Sequence, residues 1–204
     1  MKDFGAISRH KWALPLEAAM AVGVIVTFAR GDWHHFSISL FTLVVSFLPL
    51  LIERFMRVRL PSLFQVMYVA FIFLSMFSGE VLAMYERVGL WDDAVHISSG
   101  LLIGTCAAVF TRTSREHIRM SAWTQAVFVF GIVTSLIVLW EIVEFASDQL
   151  FGTYSQGASL VDTMSDLVDG TVGGLIIAIV LVVHLTKKRI QIFDTLVHTY
   201  EKLN

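Results

Sequence analysis

The stretch AWTQAVFVFGIVTSLIVLWEIVEF, residues 122–145, carries no charge until Glu141. An apolar helix of about 20 residues crosses a bilayer, so Ala122–Phe145 reads as a membrane helix that ends in two glutamates. Further segments of the same character lie on either side of it: Leu14–Ala29, Phe36–Ile52, Leu63–Met84, Asp93–Phe110 and Asp166–His184. The 204-residue chain is 56% hydrophobic and 16% charged, and its mean hydropathy is +0.72. A soluble domain of this size is more polar. The expected fold is all-α: a polytopic bundle of six transmembrane helices over residues 1–186, then a cytoplasmic amphipathic tail helix over 187–204. In that tail Ile192, Phe193, Leu196, Val197, Tyr200 and Leu203 recur at helical spacing behind Lys187, Lys188 and Arg189. This is the pattern of a helix lying on the cytoplasmic leaflet, or of one docking on a partner or a second copy.

The basic residues give an orientation. Of the 15 Lys and Arg, only Arg30 and Arg87 fall in the connections on one side. Lys2, Arg9, Lys11, Arg54, Arg57, Arg59, Arg112, Arg115, Arg119, Lys187, Lys188, Arg189 and Lys202 fall on the other. The positive-inside rule puts that second side, and both termini, in the cytoplasm. The first segment follows basic residues as a signal peptide does. No small-x-small cleavage site follows it and further spans do, so it reads as a retained helix. A net charge of −2 argues against a nucleic-acid partner. The one cysteine, Cys106, can form no internal disulfide and reads as a small packing residue within a helix. Pro15 and Pro61 suit the first turns of the first and third helices, and Pro49 is placed to kink the second.

A carboxylate in hydrocarbon costs on the order of several kcal/mol unless it is paired, hydrated or protonated. Glu141, Glu144 and Asp148 are spaced i, i+3, i+7, and Asp162, Asp166 and Asp169 are spaced i, i+4, i+7, so each set shares one helix face. The two helices run antiparallel. Counting inward from Asp148 and Asp162 at 1.5 Å per residue gives layers roughly 6 and 10 Å below the outer rim. Glu144 is then expected opposite Asp166, and Glu141 opposite Asp169. Asp92, Asp93 and His96 open the fourth helix from the same side, which brings His96 level with Glu144 and Asp166, and Gly100 follows one turn later.

Like charges in a low dielectric cannot all ionise, so such a cluster holds protons or cations. Oxygen donors with one imidazole suit a divalent ion such as Mg²⁺, Mn²⁺, Ca²⁺ or Zn²⁺. The metal set is then His96, Glu144, Asp166, Asp169, Glu141, Asp162 and Asp92, with Glu141, Glu144 and His96 as catalytic candidates. A proton-mediated hydrogen-bond network is the alternative for the whole cluster. Asp162 equally suits the N-cap of the sixth helix, Asp148 a solvated loop, and Asp92 and Asp93 the start of the fourth helix. Asp32, His34 and His35 lie in the first outer loop and either close over the site or mark the interface. Glu80 is a further contributor by position. Gly170 and Gly174, four apart, allow close helix packing.

The order Asp92-x-x-x-His96-x-x-x-Gly100, then Glu141-x-x-Glu144, then Asp162-Thr163-x-x-Asp166 with Gly173 beyond, resembles the YjdF-like family of bacterial inner-membrane proteins. It resembles the VanZ-like family, one member of which is linked to glycopeptide-antibiotic resistance, more distantly. The resemblance covers roughly residues 80–185 and implies a multi-pass protein of a bacterial inner membrane. It supplies no mechanism. Those families commonly carry lysine where Asp93 stands, so a lysine-compensated network in relatives becomes a cation-compensated one here. Asp166-x-x-Asp169-Gly170 also matches the opening of the CDP-alcohol phosphatidyltransferase signature. The rest of that signature is missing, and that family's site faces the cytoplasm, which excludes it.

Three functions fit these residues. One is a metal-dependent hydrolase or transferase acting on a lipid head group or lipid-linked phosphate at the outer leaflet. Another is a transporter of divalent cations or protons. The third is a non-catalytic envelope-resistance protein that retains a lipid-linked precursor.

Overall fold

The computed structural model describes residues 13–113, 120–153, 155–157 and 159–204. Lys2, Arg9, Lys11, Arg115 and Arg119, which contribute to the charge bias, and His10 and His117 lie outside them. The described residues are mostly helical, with no strand among them. Five helical stretches are long and apolar enough to cross a membrane, at residues 33–56, 62–81, 91–113, 122–151 and 160–186, and a shorter apolar helix precedes them. The chain is a multi-helix membrane bundle. Its contacts divide it into two compact units, Met1–Trp91 with His198–Asn204, and Asp92–Val197.

In the first unit α1 spans Leu14–Ala29 with Pro15 in its first turn, where a missing N–H is harmless. Helix α2, Trp33–Val45, is capped by Asp32, which accepts from the His35 backbone N–H at 3.2 Å. It breaks at Ser46 and Phe47 and resumes as α3, Leu48–Met56. Pro49 thus opens a new helical stretch, and the expected kink is a break. Arg57 ends α3 in the left-handed region, at φ 56°. Helix α4, Ser62–Ile72, continues into a π-helical segment, Phe73–Val81. Pro61 sits just before α4 as its cap. Short α5, Met84–Arg87, follows Ala83, which is also left-handed. Ala13, Met20, Val69 and Phe77 form this unit's core. Gly23 leaves the space that the Phe77 ring fills, since a Cβ there would overlap the ring.

The second unit holds α6, Trp91–Thr113; α7, Ala122–Phe151; and α8, Leu160–Thr186. Ser121 caps α7 by accepting from the Thr124 N–H, and Gly152 ends it at φ 67°, a conformation that glycine adopts without strain. Ser159 caps α8. Leu139, Ile142, Val143 and Phe145 of α7 are exposed, as side chains facing lipid would be. Cys106 lies on α6 but on its exposed surface, not in the packed interior. The amphipathic tail is α9, Gln191–Leu203. Its apolar face is turned onto protein: Phe193 packs with Ala107, Ala108, Val129 and Leu181, and Leu196 is buried. The small side chains of Ala107 and Ala108 leave room for that ring. His184 fixes the start of the tail by accepting from the Ile190 N–H at 2.9 Å.

Candidate functional site

Glycines set the spacing of the acidic helices. A Cβ at Gly100 would overlap the carbonyl oxygen of Gly170, and one at Gly173 would overlap that of Ile97, so α6 and α8 touch backbone to backbone. Gly104 meets Ile177 further inward, so the two helices run parallel. One turn outward from Gly100 and Gly170 stand His96 and Asp166. The imidazole Nε2 lies 3.6 Å from Asp166 Oδ1 and 3.5 Å from Asp92 Oδ1, one more turn out on α6. His96 and Asp166 are buried and Asp92 is half-buried.

Helix α7 closes the third side in antiparallel register. Ile137 packs on Gly170 and Val133 on Gly174, and one turn outward this register sets Glu141 beside Asp166. Glu144, one step further out, keeps one oxygen on the Trp140 indole N–H at 2.9 Å. One ligand atom each from Asp92, His96 and Asp166 lie within 4.8 Å of one another, and so do atoms from Glu141, Glu144 and Asp166. Asp166 belongs to both sets.

Glu141 is the least satisfied member. It is 5% exposed, and neither carboxylate oxygen has a hydrogen-bond partner. Gln156 from the outer loop approaches it closely enough to act on its charge, without the geometry of a hydrogen bond. Burying a carboxylate in this way is costly unless something binds it. A bound cation or proton is what would offset that cost.

The remaining sequence candidates lie outside the two close sets, although the charges of Asp162 and Asp169 still reach Asp92, His96 and Asp166. The expected opposition of Glu141 and Asp169 gives way to Glu141 with Asp166, because α7 runs on to Phe151 and the true register lies about one turn from the counted one. Asp169 lies beside Asp93 on α6 and belongs to neither close set. Asp162 is not the N-cap of α8; Ser159 is, accepting from the Asp162 N–H at 3.4 Å. Asp162 sits in the first turn, where its charge complements the helix dipole. Asp148 takes its loop role, accepting from the Thr153 hydroxyl at 2.6 Å and from the Ser155 and Gln156 N–H groups at 2.8 and 3.1 Å. Ser98 and Ser99 donate to the Ala94 and His96 carbonyls, so neither is a free nucleophile.

Asp32, His34 and His35 belong to the first unit. There Asp32 caps α2 and takes the His35 Nδ1 at 2.7 Å, and these hydrogen bonds from the His35 side chain and backbone hold its carboxyl below the usual range. Glu80 is exposed on the π-helical segment of the same unit. Two neighbours of the site were not among the sequence candidates. Trp140 was legible from its i, i+4 spacing to Glu144. Gln156 was not, because a loop residue carries no periodicity.

Fold and site together define a polytopic helical membrane protein with a buried carboxylate and imidazole cluster toward one end of its second unit. The chain belongs to the family described as "Predicted membrane protein (DUF2238)", which it matches over residues 12–187. It is also similar to a Thermotoga maritima protein described as "Uncharacterized protein", at 28% identity over 128 residues. That similarity covers 62% of this chain and 66% of the relative, just under two thirds of the latter. No solved structure matches it.

Proposed function

We propose that this membrane protein binds a divalent cation between α6, α7 and α8 and uses it to act on the polar head group of a membrane lipid or lipid-linked molecule. The observation that carries the reading is Glu141, whose two buried oxygens lack partners while Glu144 and Asp166 stand beside them. Charge bias turns this end of the helices outward, at head-group depth in the outer leaflet. A bound ion would polarise a phosphoryl or carbonyl oxygen. Asp92, His96, Asp166, Glu141 and Glu144 would hold it, and a glutamate would take the proton of an attacking water. Water is the fitting nucleophile, since both nearby serines are engaged by their own helix.

Packing inward of the site disfavours the transport reading. Gly100, Gly170, Ile137 and Val133 close together directly beneath Asp166, where a through-path would need room and polar groups. The test incubates the purified chain with membrane lipids and each divalent ion in turn and follows lipid products by mass spectrometry. Conversion that needs the ion and is lost in Asp166→Asn is expected. No conversion with any ion, with unmodified lipid retained, would favour a binding protein of the VanZ-like kind.

A further inference from the structure

We infer that the cluster between α6, α7 and α8 is built for a pair of divalent cations bridged by Asp166, and that the group it takes is a phosphate ester or phosphoanhydride. The inference rests on the cation-binding reading above. Asp92, His96 and Asp166 form one ligand set, and Glu141, Glu144 and Asp166 the other. Helix α6 supplies two ligands, α7 two, and α8 the shared one. A carboxylate has two oxygens and can serve an ion with each.

An acidic cluster alone need hold nothing, and two separate observations point to two ions. In the first set, Nε2 of His96 lies 3.5 and 3.6 Å from its carboxylate oxygens. Those separations are too long for N–H···O hydrogen bonds. They match the spacing of about 3.4 Å between ligand atoms around a tetrahedral ion with bonds near 2.1 Å. In the second set, both oxygens of Glu141 are buried and unpartnered. Glu141 is not in the first set, so an ion held there leaves those oxygens unpartnered; an ion in the second set supplies their partner.

The donors also sort the ions. Imidazole with two carboxylates suits a borderline metal, and three carboxylates suit a hard one. Mn²⁺ is acceptable to both, which makes it the natural probe. Paired ions clamp the attacking and leaving oxygens of an in-line displacement at phosphorus, and this favours a phosphate over a carbonyl substrate. The water oxygen bonds to phosphorus as a carboxylate of the second set takes its proton. The bond from phosphorus to the leaving oxygen breaks, its electron pair departs with that oxygen, and the proton is returned there.

The full chain in lipid nanodiscs, stripped by a chelator, is titrated with Mn²⁺ while ions per chain and the paramagnetic resonance spectrum are recorded. Wild type is expected to saturate at two ions with a spin-coupled signal. His96→Ala, and separately the Glu141→Gln, Glu144→Gln double variant, should each keep one uncoupled ion. Asp166→Asn should lose the coupling and weaken both sites at least tenfold. Asp194→Asn, at the opposite end of the unit, should keep both ions and shows that the preparation is folded. Inorganic phosphate, and in a second arm phosphatidic acid in the nanodisc, should perturb the coupled signal; a response to phosphatidic acid alone assigns a lipid head group, and one to inorganic phosphate alone a free anion. Saturation at one ion overturns the pair and leaves the cation-binding reading standing. No bound ion in folded wild type overturns both. Two ions indifferent to both phosphate probes overturn the phosphate assignment.

Discussion

The outer and inner ends of the Asp92–Val197 unit each bury a polar side chain on a membrane helix, and they treat it in opposite ways. At the inner end, His184 accepts the Ile190 N–H at 2.9 Å, faces Asp194 with its other nitrogen at 3.5 Å, and has the Phe193 ring 5.5 Å away. Nδ1 carries a backbone hydrogen bond and Nε2 stands at charge-pair distance from Asp194, so the group is explained as a fastening for the tail helix. At the outer end, Glu141 is as deeply buried and has no hydrogen bond. Buried polar groups are normally satisfied. An unsatisfied carboxylate among other acids is what the proposed cation would explain; Gln125 near the inner end also leaves Oε1 unpartnered, but it carries no charge and its amide donates to the Met120 carbonyl at 3.0 Å.

Substitutions at the two ends put that contrast to the test. Asp166→Asn has the largest expected effect, because it removes the one ligand that both sets share; divalent-ion retention, read by elemental analysis, should fall to background. Gly100→Val should follow. Its side chain would press on the Gly170 backbone and push α6 away from α8. A cost of about 1–3 kcal/mol, the usual range for overpacking, is expected in detergent unfolding, together with weakened ion binding. If Gly100→Val binds ions as wild type does, the close helix approach does not set the site's spacing.

Substitution of the two buried polar groups should give opposite signs. His184→Leu should destabilise by about 1–3 kcal/mol, since the Ile190 N–H and Asp194 lose their partner. Glu141→Leu should stabilise the ion-free protein by a similar amount, about 1–3 kcal/mol, because it removes an uncompensated buried group. Equal destabilisation by both would erase the contrast. Ser159→Ala should cost about 1 kcal/mol through the lost cap of α8. The smallest effect belongs to Asp32. Its folded-state carboxyl is held below the unfolded value, so its contribution to α2 is present above the unfolded value and fades as pH falls through the folded one. In Asp32→Asn that acid-dependent step should disappear from helix content measured against pH.

Much of this was legible in the chain. Apolar length alone gave the helices, and Leu14–Ala29 has the same bounds in sequence and structure. Helical periodicity put Glu141 with Glu144 and Asp92 with His96, since those pairs are local. The register between α7 and α8 was not legible. It follows from Ile137 and Val133 seating on Gly170 and Gly174, a tertiary fit that counting from Asp148 and Asp162 misses by about one turn. The π-helical turn geometry of Phe73–Val81 left no periodic signal either. The apolar face of the tail was readable, but its partner was not, because periodicity does not distinguish Ala107 and Ala108 from a lipid leaflet.

If the proposed cation binds, the orphaned carboxylate of Glu141 is one of its ligands. The most direct measurement is the thermal unfolding midpoint of the chelator-stripped protein with and without Mn²⁺. A ligand at 100 times its dissociation constant stabilises by about 2.7 kcal/mol. Wild type should therefore shift upward by several degrees and Glu141→Gln by much less. A wild-type midpoint indifferent to Mn²⁺, Mg²⁺, Ca²⁺ and Zn²⁺ alike would mean that Glu141 holds no cation.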